Sequence, residues 1–288
     1  MKGKILFLVI IQFFYLKAQQ IILPVNDNFE LKVKVKVSIH PSDSSKFIYE
    51  YSIKNMPTSG QPINYFKVAH EPPWPPVVDT VIPPVNWECI PEKPSWQSKR
   101  ISKSPDIWAD LYPGDSLSGF IFHDRKLPDI GYWYSEGTDT IVFPQVINMD
   151  VEELEDSLQK IYYNKTPFGP GKYGYTVAPG PYPPMKPIWP WGHYPDSAFL
   201  HLRDRVEKCK EQGWVTQHAY DQIWRLIGHA LDALERCRLE QSKRTLTRLM
   251  ETLERLKGQE KITEEAFYIL YYRTKYVRDN LWCGGDKK

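Results

Sequence analysis

Gly114-Asp115-Ser116-Leu117 has the residue order of a serine-hydrolase nucleophile motif. A serine hydroxyl is a weak nucleophile on its own. It needs a histidine base within hydrogen-bond reach and a carboxylate to orient that base. In this kind of hydrolase the base arrives as Asp-x-x-His. The seven histidines are His40, His70, His123, His193, His201, His218 and His229, and none has Asp three positions before it. Pro113 stands directly before Gly114, and proline cannot donate in the central parallel strand that would have to carry such a serine. Tyr112-Pro113-Gly114-Asp115 suits a turn instead. Proline fixes φ at the first corner, and glycine supplies positive φ at the second. Ser116 is therefore expected to leave a turn, and a hydrolase using Ser116 is kept as the minor alternative.

The other chemistry-bearing residues give no catalytic set. His123-Asp124, His70-Glu71 and His193 are too scattered to propose a metal site, and the absence of a CxxC spacing disfavours structural zinc. Glu152, Glu153, Glu155 and Asp156 crowd one helix start, whereas glycosidase carboxylates must flank a bond across a cleft. No metal, no cofactor and no enzymatic activity are expected. Tryptophan is the better lead, because flat amphipathic rings suit recognition surfaces. Trp74, Trp87 and Trp96 are the candidate ligand contacts. Trp108 and Trp133 are read as core, and Trp189 and Trp191 fall in a linker.

The elements that would position these residues are read from pattern. The chain has 288 residues, 42% of them hydrophobic, with a formal net charge of +2. That balance gives no pull toward nucleic acid. Residues 1–18 read as a signal peptide: Lys2 and Lys4, then an apolar run from Ile5 to Leu16, then Ala18 at the expected cut. The run is short for a membrane span, so a secreted or periplasmic protein is expected, with no membrane span after cleavage. Residues 19–148 read as an antiparallel β-sandwich of immunoglobulin or fibronectin type. Leu31-Lys32-Val33-Lys34-Val35-Lys36-Val37 alternates strictly, and further short runs at 47–53, 63–68, 118–123, 131–134 and 140–143 follow. Glu71 to Pro94 is rich in proline and reads as a long loop. Residues 149–165 read as a short helix. Residues 166–196 read as a Pro/Gly-rich linker with no periodicity.

Residues 197–283 read as a four-helix bundle made of a duplicated α-hairpin. Arg205 to Tyr220 aligns with Thr252 to Phe267 without a gap, and Glu, Lys, Gln, Thr and Ala recur at matched positions. Thr216 and Thr263 are the expected helix N-caps. The helices are expected at about 198–212, 217–236, 239–257 and 264–282, with stripes Ala219-Ile223-Ile227-Ala230-Leu234 and Ala266-Leu270-Thr274-Val277-Leu281 facing inward. The four cysteines allow three full pairings. In an up-down bundle Cys237 and Cys283 fall at the same end, which permits a Cys237–Cys283 bridge, while Cys209 lies near the other end.

Gly213-Trp214-Val215-Thr216, Ala230-Leu231-Asp232-Ala233-Leu234, Leu246-Thr247-Arg248-Leu249 and Lys261-Ile262-Thr263-Glu264-Glu265-Ala266 resemble the FIMAH domain, a small helical module appended to exported bacterial proteins. Cys237-Arg238-Leu239 departs from the small residues usual before the third helix. The resemblance implies an extracytoplasmic accessory module and brings no catalytic residues. Together these readings favour an exported binding or adhesion protein that recognises an extracellular glycan or protein. A structural envelope component that assembles through its bundle is the other alternative.

Overall fold

The structure, a computed structural model, describes residues 26–70, 77–103, 106–138, 166–180 and 195–281. The expected signal peptide, the strand at 140–143, the helix at 149–165, Trp74, Trp189, Trp191 and Cys283 lie outside the described residues.

The β part is two antiparallel sheets face to face. One contains β1 (Leu31–His40), β2 (Asp43–Asn55), β9 (Ser116–Asp124) and β4 (Thr80–Ile82), in the order β1-β2-β9-β4. The other contains β11 (Lys172–Pro179), β10 (Pro128–Gly137), β3 (Ile63–Ala69), β6 (Ser95–Ser98) and β5 (Trp87–Cys89), in the order β11-β10-β3-β6-β5. A separate hairpin pairs β7 (Arg100–Lys103) with β8 (Asp106–Trp108). Alternation along β1 turns Val35 and Val37 inward and the lysines outward. The registers β1–β2 and β2–β9 stack Val37, Tyr49 and Phe122 across three strands, and Val35, Tyr51 and Phe120 beside them.

The inner faces interlock through aromatic rings. Phe66 of β3 meets Tyr51 at 6.1 Å and Phe120 at 5.1 Å, and Trp96 of β6 meets Phe120 at 5.4 Å. Trp87 of β5 meets Phe120 edge-on at 5.2 Å. Such offset and edge-to-face contacts add to area burial. Trp87 and Trp96 are 2% and 1% exposed. Their indole N–H groups donate to the carbonyls of Ala109 and Ile82. Both are core residues, which corrects their reading as ligand contacts. Trp108 departs the other way: it stands on β8 with 40% of its surface exposed, while Trp133 is half-buried against the core.

Two further corrections concern strands. β4 and β5 lie inside the stretch read as a loop from Glu71 to Pro94. Each is three residues long and each is a sheet edge, where Pro83 and Pro84 beside them cost no ladder bond. β11 lies inside the stretch read as a linker. It pairs with β10 from Pro128↔Pro179 to Ser135↔Lys172, and its prolines and glycines disguise an alternation of Tyr173, Tyr175 and Val177.

The helical part comprises α1 (Pro195–Glu211), α2 (Gln217–Glu235), α3 (Leu239–Gly258) and α4 (Glu264–Asn280). Phe199, Leu202, Val206 and Cys209 of α1 are buried at helical spacing, as are Leu246, Leu249, Leu253 and Leu256 of α3. Each helix packs on two others, closing a ring α1-α2-α3-α4. The hydroxyl of Thr216 accepts from Ala219 N at 3.4 Å, and that of Thr263 from Ala266 N at 3.3 Å. The two joints also pair with each other: Thr216 N donates to the Lys261 carbonyl and Thr263 N to the Trp214 carbonyl. The duplicated hairpins are thus stitched at their equivalent points. Cys89, Cys209 and Cys237 carry free thiols. Among the described residues no helix is long and apolar enough to cross a membrane.

Candidate functional site

The candidate site is the outer face of the β11-β10-β3 strands. A strand turns alternate residues to one side, and the register lines them up in rows. Tyr175 of β11, Tyr132 of β10 and Ala69 of β3 form one row. Tyr173, Tyr134 and Lys67 form the next, and Glu136 with Tyr65 a third. Phe168, in the turn before β11, packs among these rows. Its ring is 5.5 Å from Tyr132, 5.7 Å from Tyr134 and 5.4 Å from Tyr173. Tyr132 and Tyr175 are 5.1 Å apart. This cluster is separate from the core between the sheets.

The turn that seats Phe168 is built locally. The hydroxyl of Thr166 accepts from Phe168 N and Gly169 N, and itself donates to the Gly169 carbonyl. Gly169 has φ 138°, and a Cβ there would meet the Tyr134 hydroxyl at 2.6 Å. Glycine is required for both reasons.

Beneath the rings lies a small polar set. Tyr134 donates its hydroxyl proton to Glu136 at 2.6 Å and accepts from Gly171 N at 3.0 Å. The Lys67 ammonium stands 4.6 Å from the Tyr134 ring centroid and 5.3 Å from that of Phe168, within cation–π range. Burial pushes the Glu136 carboxyl up and the Lys67 ammonium down, each opposed by the charge of the other. Burial also raises the Tyr134 and Tyr65 hydroxyls. Tyr65 and Ser95 share a hydrogen bond of 2.7 Å. Above this fixed floor Tyr173 and Tyr175 keep 42% and 45% of their surface exposed. The arrangement is a platform of packed rings, two of them partly open to solvent. It can stack on flat apolar surfaces and offer hydroxyls at the margins.

The residues singled out in the sequence do not converge here. Trp87 and Trp96 lie in the core, and Trp74 is outside the described residues. Thr216 and Thr263 sit at the joints of the bundle. Cys237 is exposed and free at the end of α2, and Cys283 is outside the described residues. Ser116 is exposed at the start of β9. Asp115 N donates to the Tyr112 carbonyl at 3.0 Å and Gly114 has φ 93°, which is a hydrogen-bonded turn with glycine at its second corner. His123 stands seven residues on along the same strand, roughly 24 Å away at strand rise. Its ring faces His40 at 5.0 Å. Among the described residues no group of three or more His, Cys, Asp or Glu could hold a metal ion.

The tyrosine face is hidden in the sequence because Gly174 and Pro179 give β11 the composition of a linker. The signal was present as aromatics at alternate positions, Tyr132 and Tyr134, then Tyr173 and Tyr175. No curated protein matches this chain. Residues 199–279, the span of the four helices, match the FIMAH domain.

Proposed function

We propose that this protein is an exported, non-catalytic binding protein that takes a glycan on the tyrosine face of its sandwich. The observation that carries this reading is the pair of exposed rings, Tyr173 and Tyr175, on a floor fixed by Tyr132, Tyr134 and Phe168. Sugar rings present flat C–H faces that stack on such aromatics, and tyrosine gives large contact area at low conformational cost. The FIMAH match supports an accessory or adhesion-like role, and that module is found in exported proteins. The apolar run at residues 5–16 supports export.

The test is retention of the full chain on insoluble polysaccharides and peptidoglycan, against a Tyr173→Ala/Tyr175→Ala double variant. The expected result is retention by at least one glycan, weakened about tenfold or more in the variant, with an unchanged melting curve. Equal retention of both proteins, or of neither, overturns the reading. A protein partner is the second reading. It is favoured by exposed aliphatics on the far edge of the sandwich, where Val77, Ile82, Val85 and Ile90 are 66%, 41%, 81% and 51% exposed.

A further inference from the structure

Among the described residues, the main contacts of the helices with the sandwich lie on its β1 and β11 side. β1 and β11 are the edges there; α4 packs against both and against β10, and α1 packs against β10. At the centre of this contact is Asp129 of β10, 1% exposed. Arg205 of α1 donates from Nη2 to Oδ2 at 3.0 Å, and its Nε lies 2.6 Å from Oδ1 as an ion pair. Arg273 of α4 donates to Oδ2 at 2.7 Å. Beside them the Tyr272 hydroxyl donates to the Val37 carbonyl at 3.2 Å, and its ring meets Phe47 at 5.1 Å.

The internal repeat shows that these residues are not general bundle chemistry. Thr252 stands in the repeat where Arg205 stands. Leu226 is the counterpart of Arg273, and Arg225 of Tyr272. The two hairpins differ where one face meets the sandwich. Two guanidiniums held close together, with 15% and 16% exposure, are repulsive unless an anion lies between them. Each guanidinium gives Asp129 one charge-assisted hydrogen bond through Nη2, and both bonds fall on Oδ2.

We propose that the α1–α4 face of the helical module is a carboxylate-reading docking surface whose occupant is Asp129, so that the module is clamped on the sandwich edge rather than hanging from its linker. The clamp sets α4 against the edge strands β1 and β11, where the Tyr272 hydroxyl donates to the Val37 carbonyl of β1. It stands independently of the glycan reading.

The test is hydrogen exchange on the full chain, wild type against Asp129→Asn, which keeps the shape and removes the charge. Loss of one partner of a buried ion cluster leaves uncompensated charge. Amides of α1, α4 and the β11 edge are expected to exchange about a hundred- to a thousandfold faster. Those of α2, α3, β2 and β9 should hold their protection. Unchanged exchange at the contact, or an even rise over all elements with the chain still folded, overturns the proposal. Should Asp129→Asn fail to fold, Arg205→Gln and Arg273→Gln decide, since each leaves the carboxylate one partner. A rise confined to the contact supports the clamp, and no rise there overturns it.

Discussion

Replacing Trp96 separates a core residue from a ligand contact by magnitude. Its indole is 1% exposed, lies 5.8 Å from the Phe66 ring in a stacked arrangement and meets Phe120 edge-on. Its N–H donates to the Ile82 carbonyl at 3.2 Å. A buried tryptophan removes roughly 150–250 Å² from water. At about 25 cal/mol per Å² that amounts to about 4–6 kcal/mol as an upper figure. Tryptophan-to-alanine changes in cores cost about 3–5 kcal/mol, and the lost hydrogen bond accounts for about 1 kcal/mol of this. Domain stabilities are about 5–15 kcal/mol, so Trp96→Ala should remove much of what holds the sandwich. Trp96→Phe keeps a ring against Phe66 and Phe120 and loses the N–H and part of the volume. It should cost about 1–2 kcal/mol. Urea unfolding followed by circular dichroism reads both variants. The reasoning is refuted if Trp96→Ala leaves the midpoint within about 0.5 kcal/mol of wild type while abolishing glycan retention, because the ring would then be an outward contact.

The remaining expectations are smaller and local. Thr216→Ala and Thr263→Ala should each cost about 1 kcal/mol in urea unfolding, the usual effect of losing a cap. Gly213 and Glu260 occupy equivalent places after α1 and α3 with φ 72° and 55°, so Gly213→Ala should destabilise by about 1 kcal/mol and Glu260→Gly should not. Glu136 has its carboxyl raised from 4.5 by burial. The folded state then holds the proton longer, and the stability it contributes is lost as pH rises from about 4.5 through its folded midpoint. Unfolding midpoints across that range should fall less steeply in Glu136→Gln than in wild type. Ser116→Ala removes an exposed hydroxyl and should change the urea midpoint by less than about 0.5 kcal/mol, and a fluorophosphonate probe should label neither protein.

What the sequence disclosed, and what it hid, follows the range of the interactions concerned. Helix periodicity, caps and the duplicated joints are written within a few residues, so α2 and α4 start where Thr216 and Thr263 place them. β1 and β2 declared themselves because one face is buried and the other wet. β11 did not, since Pro179 and Gly174 imitate a linker and its pairing with β10 lies about forty positions away in the chain. Burial of Trp87 and Trp96 is likewise non-local. A tryptophan on a three- or four-residue strand has the same neighbours in sequence whether it faces Phe120 or solvent, and only the opposing sheet decides. Asp129 is the extreme case. Nothing beside Asp129 in the sequence points to Arg205 or Arg273, which lie 76 and 144 positions away. Their identity emerges only against the repeat, where Thr252 and Leu226 stand in their places. Charges that the duplicated unit carries at only one of two equivalent places, Arg205 against Thr252 and Arg273 against Leu226, are where the helices hold the sandwich.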